Sequence, residues 1–314
     1  MQVLSVRMKQ SLDFYSNGKL LISGEYVVMD GALSLALPVR FGQSLHVEVA
    51  GGPSQIHWES RVMGNEWFAA DFQLPDLKIL STNDQQVAVR LQTLLGNASS
   101  LNPHVLPQHA AINVLADIGF DLDTGLGSSS TLISNVAWWF DTDPFQLFRN
   151  TYTGSGYDIA CARSPRAILY RLADEIPVIQ PVDFDPPFRH HVYFVHSGKK
   201  QDTHSGIRHY RGAGQASPEE MERISAISGQ LVLAKELHEF EDLLTEHETI
   251  TGRILGMEPV KQSLFRDFQG TIKSLGAWGG DFILVTWSGR RKDLEDYFHS
   301  KGLKTIYSFN ELIL

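Results

Sequence analysis

The sequence predicts an α+β protein with two domains, and three observations lead to this prediction. Strand-like and helix-like patterns are mixed in both halves of the chain instead of separating into one type per half. The 314 residues suit one large or two modest domains. Four prolines crowd the acidic stretch of residues 174–187, which is typical of a linker. We therefore place an N-terminal domain at residues 1–183 and a C-terminal domain at residues 184–314.

The chain opens with patterns that predict strands. Residues 19–23 and 25–29 are two β-rich runs, and the pair Asp30-Gly31 after them is a turn signal of the hairpin type. Apolar and polar side chains alternate along residues 44–50, which predicts a strand with one buried face.

A helix, a strand and a second helix are predicted next. Residues 83–95 carry apolar side chains at helical spacing, and Gly96 marks the expected end of that helix. Residues 110–115 read as a strand, which leads through a glycine-rich loop at 124–130 into the apolar helix 132–140.

The second half of the chain continues the mixed pattern. A helix is predicted to begin with Ser217 as the N-cap, Pro218 in the first turn and Glu220 reaching back to the cap. The other predicted elements are the strands 191–196, 282–287 and 303–309 and the helix 292–299.

Composition narrows the classes of partner. A formal net charge of −9 argues against nucleic acid, although a local basic pocket can still bind an anionic small molecule. The first ten residues lack the apolar run of a secretory signal. The apolar windows 20–37 and 132–140 are interrupted by charges or too short to cross a bilayer. Cys161 has no second cysteine to pair with, so we expect a small buried residue and a cytoplasmic, reducing location.

The strongest local signal is a glycine- and serine-rich loop before a helix, composed of Gly125, Leu126, Gly127, Ser128, Ser129 and Ser130. Glycines allow the backbone to approach an anion, and successive amides at a helix N-terminus attract phosphate. The hydroxyl groups can contact phosphate or magnesium. A serine-capped helix after a tight turn explains the same residues about as well, because short glycine patterns have many false positives.

Two further glycine segments carry an acidic residue. Residues 154–158 read Gly-Ser-Gly-Tyr-Asp, and Asp158 at their end can take a proton from a substrate hydroxyl. Residues 276–281 read Gly-Ala-Trp-Gly-Gly-Asp directly before an apolar strand. Each segment alone is read more simply as an ordinary turn.

Together and in this order, the segments resemble the motifs of the galactokinase, homoserine kinase, mevalonate kinase and phosphomevalonate kinase (GHMP) superfamily. The first motif of that family places a lysine and a glutamate where this chain has Lys19 and Glu25. The combination is specific although each piece is weak, and it covers nearly the whole chain. The matching segments are residues 17–38, 125–130, 154–158 and 273–281.

The resemblance implies both a fold and a chemistry. It implies an ATP-binding N-terminal domain with a ribosomal-protein-S5-like fold, a ferredoxin-like C-terminal domain, and an active site between them. ATP phosphates would bind over the glycine loop. Asp158 matches the catalytic base, Lys19 the cation that pairs with it, and Ser129 the hydroxyl that faces Mg2+.

The resemblance also ranks the substrates, which are small anionic hydroxy acids or their phosphates. Tyr26 follows Glu25 as in phosphomevalonate kinases, where mevalonate kinases usually have histidine. Residues 146–149 lack the magnesium-binding glutamate of mevalonate kinases. We therefore expect phosphomevalonate first and mevalonate second. The expected substrate-binding residues are Glu25, Gly156, Lys199, Lys200, Ala277 and Gly279.

Three alternatives stay open. The first is a mevalonate kinase proper. The second is the diphosphomevalonate decarboxylase of the same superfamily, which releases carbon dioxide. The third is a catalytically silent homologue that binds nucleotide without consuming it, as the missing glutamate allows. Plain surface lysines are as good an interpretation of Lys199 and Lys200 as a substrate-binding pair.

Overall fold

The computed structural model describes residues 10–107, 109–198, 203–276, 278 and 280–314, and these residues form two compact units. The described residues of the first unit fall within Met1–Gly18, Phe41–Asp121 and Gly127–Arg163. Those of the second unit fall within Lys19–Arg40, Leu122–Leu126 and Ser164–Leu314. The division into domains at residues 183 and 184 stays a prediction.

Strands and α-helices are mixed along the chain, which confirms the predicted α+β class. The strands are β1 (Gln10–Ser23), β2 (Ser34–Ala50), β3 (Gln55–Val62), β4 (Asn65–Gln73), β5 (Lys78–Thr82), β6 (Ala111–Ile118), β7 (Ile168–Ala173), β8 (Ile176–Pro181), β9 (Val192–His196), β10 (Ile272–Ser274), β11 (Phe282–Thr286) and β12 (Ile306–Ser308). The helices are α1 (Gln85–Leu101), α2 (Ser128–Trp139), α3 (Pro144–Thr151), α4 (Tyr157–Ala162), α5 (Thr203–Ala213), α6 (Pro218–Leu233), α7 (Leu237–Leu255), α8 (Val260–Leu264), α9 (Arg291–Ser300) and α10 (Phe309–Leu312).

In the first unit, helices pack on a mixed sheet. Its strands lie in the order β5, β4, β3, β6 and the C-terminal half of β2, with β3 and β6 parallel and the other pairs antiparallel. Leu45 and Val47 of β2 are fully buried, as the alternating pattern of residues 44–50 predicts. They join Trp58 and side chains of α1 and α2 in one apolar core, which fixes α2 to the sheet.

The second unit contains two sets of antiparallel strands. The N-terminal end of β2 pairs with β7, and β7 pairs with β8. A separate four-stranded sheet has the order β10, β11, β9, β12. Apolar side chains of this sheet, such as Val195 and Val285, pack with Phe265 and Phe298 in a second core. That sheet carries the ends of the loop between β10 and β11.

Several local predictions are confirmed. The glycine-rich loop leads into α2, and α6 begins with the predicted capping box of Ser217 and Glu220. Cys161 is fully buried. A separate finding concerns helix length and hydropathy: among the helices of the described residues, none is long and apolar enough to cross a bilayer.

Three element predictions are wrong. A 3₁₀ helix (Val27–Asp30) replaces the strand expected at residues 25–29, because Tyr26 turns the chain with a left-handed φ of 64°. Helix α1 continues through Gly96 to residue 101, since its buried face extends to Ala98. The strand expected at residues 303–309 is limited to β12, after which Ser308 caps α10.

Candidate functional site

The N-terminus of α2 lies at the predicted phosphate loop and has the backbone features that this prediction requires. Gly127 is its N-cap and has a left-handed φ of 95°, a conformation that side chains disfavour. The first N–H groups of a helix have no partner within the helix, and the helix dipole adds positive potential there. Ser129 is exposed at this end, whereas the buried Ser130 donates its hydroxyl to the Gly127 carbonyl at 2.8 Å. Ser129 is therefore the hydroxyl that is open to a ligand.

A network of uncharged hydrogen-bonding groups attaches α2 to strands β1 and β2. The Ser16 hydroxyl of β1 lies 2.8 Å from both the Ser134 hydroxyl and Asn135 Oδ1. Asn135 Nδ2 donates to the Gln43 carbonyl of β2 at 2.8 Å. All four side chains are buried, and none of them carries a charge. The network therefore fixes the helix to two strands without placing an ion in the core.

Asp158 lies at the start of α4, which packs against α2. Its side chain is half-buried, and its Oδ1 accepts a hydrogen bond from the Ile159 N–H at 3.0 Å. At the other end of α4, Arg163 donates from Nη2 to the Ser134 carbonyl at 2.8 Å and from Nε to the Ser134 hydroxyl at 3.1 Å. Arg163 follows Asp158 by five residues, and Ser134 follows Ser129 by five. One guanidinium thus ties the helix of the predicted base to the helix of the predicted phosphate loop.

In the second unit, Lys19 is bound to the first half of the glycine loop. Its backbone N–H donates to the Leu126 carbonyl at 2.9 Å, and its Nζ donates to the Gly125 carbonyl at 2.9 Å. Gly125 has a φ of 70°, and a Cβ there would overlap the Asp281 carboxyl group. A glycine is therefore required at this position by both conformation and space.

The loop before β11 is anchored to the first motif through Tyr26. The Trp278 N–H donates to the Tyr26 hydroxyl at 2.9 Å, and the Trp278 side chain is buried. A Cβ on Gly252 of α7 would lie 2.8 Å from the Met257 carbonyl oxygen and 3.3 Å from the indole ring, so this glycine leaves room for both the backbone and the ring. Tyr26 also stacks on Tyr210 of α5, with ring centroids 5.6 Å apart. Trp278 thus serves as an internal anchor of the segment before β11.

Glu25 lies in the interior of the second unit. It is 1% exposed, and its Oε1 accepts a hydrogen bond from Lys273 Nζ at 2.5 Å. Lys273 is fully buried and also donates to the Ser274 carbonyl at 2.8 Å. Glu248 of α7 accepts from both the N–H and the hydroxyl of Ser274. The carboxylate of Glu25 thus binds Lys273, and the substrate contact expected for Glu25 stays a prediction.

The histidine beside Glu25 is neutral. His247 Nε2 accepts the Gly24 N–H at 2.9 Å, so its proton is on Nδ1, which lies 3.3 Å from the Thr251 hydroxyl. Burial lowers the pKa of His247 well below its usual range, and the Lys273 charge lowers it further. The 3.4 Å separation between His247 Nε2 and Glu25 Oε2 is therefore not an ion pair.

Burial also shifts both carboxyl groups of this cluster. It raises the pKa of Glu25, an effect that Lys273 opposes. It raises the pKa of Glu248 to about 7, again against the effect of Lys273. Glu25 and Glu248 share the single ammonium group of Lys273 in an environment that excludes water. Protonation of a carboxyl group in this cluster is therefore favoured at mildly acidic pH.

The other predicted site residues are divided between the two units. Asp158 and Gly156 belong to the first unit together with residues 127–130, whereas Lys19 belongs to the second with Gly125 and Leu126. The pairing of Asp158 with Lys19 stays a prediction. Four predicted substrate contacts lie outside the described residues, namely Lys199, Lys200, Ala277 and Gly279.

The donor set around α2 is compatible with magnesium bound to a nucleotide. Within the described parts of the chain, no three His, Cys, Asp or Glu side chains come together as a metal site. Mg2+ commonly keeps several water ligands and takes others from substrate phosphates. One exposed hydroxyl, that of Ser129, at a helix end suited to phosphate fits this mode of binding.

Sequence reasoning missed the side chains that hold these segments. On α7, His247, Glu248 and Thr251 interrupt a buried apolar face, and on α2 Ser134 and Asn135 do the same. Polar residues on an otherwise apolar helix face are the available signal, because a buried polar group needs a partner. The sequence does not say which partner, since Gly24 and His247 are separated by more than 200 residues.

Comparison with known proteins identifies the fold. The sequence matches no protein-family model, and no curated protein is similar to it. The structure is similar to L. major mevalonate kinase in complex with R-mevalonate, with a TM-score of 0.67, 15% identity and 96% of each chain covered. It is similar to Streptococcus pneumoniae phosphomevalonate kinase in complex with phosphomevalonate and AMPPNP, with a TM-score of 0.66, 17% identity and 95% of this chain and 99% of that chain covered. It is also similar to Staphylococcus aureus mevalonate diphosphate decarboxylase, with a TM-score of 0.59, 11% identity and 98% of this chain and 96% of that chain covered. The chain therefore has the two-domain GHMP fold, as its motifs predict.

Proposed function

We propose that this chain is an ATP-dependent kinase that phosphorylates a hydroxyl group or a phosphate oxygen of a small anionic metabolite. The proposal rests on the start of α2. There Gly127 has no side chain to cover the backbone, and Ser129 is exposed at a helix N-terminus suited to phosphate. The similar S. pneumoniae enzyme was solved with AMPPNP, an ATP analogue, which supports ATP as the phosphate donor.

The roles of the side chains follow from the needs of phosphoryl transfer. The transferred group carries spread negative charge, so positioning and charge stabilisation supply most of the catalysis. The amides at the start of α2 bind the nucleotide phosphates, and Lys19, fixed on the Gly125 carbonyl, contributes a positive charge. Asp158 accepts the proton of the attacking oxygen, which belongs to a hydroxyl group or to a singly ionised phosphate. When bound with ATP, Mg2+ would be held by Ser129, water and phosphate oxygens and would neutralise phosphate charge.

Phosphomevalonate is the substrate that we place first, with mevalonate second. The similar structures contain phosphomevalonate in one case and R-mevalonate in another, and both compounds are anionic. Tyr26 after Glu25, and the absence of a carboxylate from residues 146–149, favour the phosphorylated compound. Lys199 and Lys200 would neutralise its phosphate through charge-assisted hydrogen bonds.

A coupled assay of ADP formation tests this function. The purified chain is given ATP and magnesium with phosphomevalonate, mevalonate, diphosphomevalonate, homoserine or galactose in turn, and the product is identified by mass. We expect the highest kcat/KM with phosphomevalonate and a stable phosphorylated product. Loss of carbon dioxide from diphosphomevalonate would instead identify a decarboxylase. ATP binding by calorimetry without ADP formation on any compound would identify a silent homologue.

A further inference from the structure

The ion pair between Glu25 and Lys273 lies in a part of the second unit that excludes water. The two side chains are 1% and 0% exposed, and Nζ and Oε1 are 2.5 Å apart. Burying two opposite charges costs desolvation, and well-packed apolar residues often stabilise a core as well or better. Stability alone therefore does not account for a charged pair at this place. The positions that the ion pair gives to the neighbouring segments offer a reason for its presence.

Each partner of the pair belongs to a segment of the proposed active site. Glu25 follows β1, the strand that carries Lys19. Lys273 lies in β10 and is followed directly by the loop of residues 275–281. His247 holds the Gly24 N–H, and Glu248 holds Ser274, so neighbours on both sides are fixed by α7.

Glu25 depends on Lys273 for its position. Its Oε2 has no hydrogen-bond partner among the described residues. His247 cannot supply one, because its Nε2 is occupied by the Gly24 N–H. Lys273, in contrast, has a second acceptor in the Ser274 carbonyl. The ammonium group therefore links the carboxylate of the first motif to the backbone that enters the loop.

The far end of the same loop reaches Lys19. Asp281 has a left-handed φ of 54° and is 8% exposed, so it is tightly confined. Its carboxyl group lies against Gly125, where no Cβ fits, and it would lie 3.3 Å from a Cβ on Gly276. The Gly125 carbonyl in turn accepts the hydrogen bond of Lys19 Nζ. A continuous series of contacts thus runs from the ion pair to the predicted catalytic lysine.

We propose that Glu25 and Lys273 are positioning residues whose buried ion pair holds Asp281, the residue directly before β11, against Gly125 and thereby aims the Lys19 ammonium group. This inference rests on the proposed kinase function. It gives Glu25 a role that agrees with its burial and that needs no contact with substrate.

The main experiment compares the whole wild-type chain with the double variant Glu25→Gln/Lys273→Met. This change removes both charges of the pair while keeping the approximate size of each side chain. Glu248, whose pKa burial raises to about 7, can take up a proton when the Lys273 charge is lost. We expect the midpoint of thermal unfolding to stay close to the wild-type value. We expect kcat to fall about tenfold to a hundredfold, because misplacement of a catalytic group by about 1 Å has effects of this size. The KM for ATP should change much less than kcat.

Two further variants sharpen the result. Glu25→Asp keeps the charge but shortens the side chain by one methylene group. This variant should fold and have a lower kcat even if the double variant does not fold. Arg290→Gln/Asp293→Asn removes an exposed ion pair of the same unit, whose side chains are 83% and 43% exposed, and should leave kcat unchanged. Wild-type kcat in a folded double variant or in Glu25→Asp would overturn the positioning role.

A readout without turnover separates this inference from the proposed function. Acetylation of Lys19 by an amine-reactive ester is followed by peptide mass spectrometry, with the exposed Lys78 as internal control. Release of Lys19 from Gly125 should raise its labelling rate severalfold in the double variant and leave that of Lys78 unchanged. Equal Lys19 rates would refute the inference even if the wild-type chain is inactive with every substrate. Inactive wild-type protein with faster Lys19 labelling in the variant would refute the kinase function alone.

Discussion

Helix α2 of the first unit and the loop before β11 of the second are both held by buried polar groups, but of opposite kinds. Under α2 the partners are hydroxyl and amide groups of Ser16, Ser134, Asn135 and Gln43. A neutral hydrogen bond adds modestly to stability, about 1 kcal/mol, and does not depend on pH. This part of the proposed phosphate site should therefore tolerate both single substitutions and changes of pH.

The loop of the second unit depends instead on ionisable groups. Lys273 faces Glu25 of the first motif, with Glu248 and the neutral His247 contributed by α7. Loss of one partner leaves an uncompensated charge in a dry core, and this is far more costly than loss of a neutral hydrogen bond. The comparison teaches that two regions of one chain can differ in their sensitivity to mutation and pH.

The largest effect is expected for Lys273→Met alone. The variant leaves Glu25 and Glu248 without their shared cation, so the free energy of unfolding should fall by about 3 to 5 kcal/mol at neutral pH. Urea titration followed by circular dichroism measures this loss. Restoration of most of it by the added Glu25→Gln change would confirm the electrostatic cause, whereas a loss below about 1 kcal/mol would contradict it.

A smaller effect is expected from pH. The raised pKa of Glu248, about 7, means that the folded state keeps a proton that the unfolded state releases near its usual value of 4.5. The stabilisation that comes from the proton on Glu248 is therefore fully present below pH 4.5 and is lost as the pH rises through about 7. The free energy of unfolding should fall by roughly 3 kcal/mol over this range.

The variant Glu248→Gln isolates this contribution. Urea midpoints measured from pH 4.5 to 7.5 should lose the part of the pH dependence that Glu248 causes. Lys273 and Glu25 face the same cluster, so the comparison is made on the difference between the two curves. Parallel curves for wild type and variant would contradict the assignment.

In the first unit, Ser134→Ala should have a modest and pH-independent effect. It removes the hydroxyl that accepts from Arg163 and contacts Ser16, but the backbone carbonyl still binds the guanidinium. We expect a loss of about 1 to 2 kcal/mol in the free energy of unfolding. The same loss at pH 5 and pH 7.5 is the expected result, and a loss that changes with pH would break the contrast between the two regions.

The smallest effect on stability is expected for Arg163→Met. The side chain is partly open to solvent, so screening reduces the value of its hydrogen bonds, and we expect a loss below about 1 kcal/mol. Arg90→Met, at an exposed position on α1, is the matched control. A loss above about 2 kcal/mol would show that Arg163 contributes more than its exposure allows.

The sequence predicted the local structure correctly where short-range effects determine it. The Gly-Leu-Gly-Ser pattern specified the start of α2 because glycine conformation and helix capping are short-range effects. The same rules failed at residues 25–29, where Val27 and Val28 suggest a strand. There the left-handed Tyr26, whose hydroxyl accepts the distant Trp278 N–H, turns the chain into a 3₁₀ helix.

The buried charges show the other limit of the sequence. The substrate contact expected for Glu25 rests on the place of this residue in the first motif. Its partner Lys273 is 248 residues away along the chain, and local patterns carry no information about such pairs. The anchoring roles of Lys273 and Glu248 required the three-dimensional structure.

The most direct measurement of the central claim compares ADP formation by the wild-type chain and by Asp158→Asn, with ATP, magnesium and phosphomevalonate at saturation. The substitution keeps the shape of the side chain and removes its basicity. If Asp158 is the base of a kinase, kcat should fall by about a hundredfold or more while the midpoint of thermal unfolding stays unchanged. Equal rates of ADP formation by the two folded proteins would contradict the account.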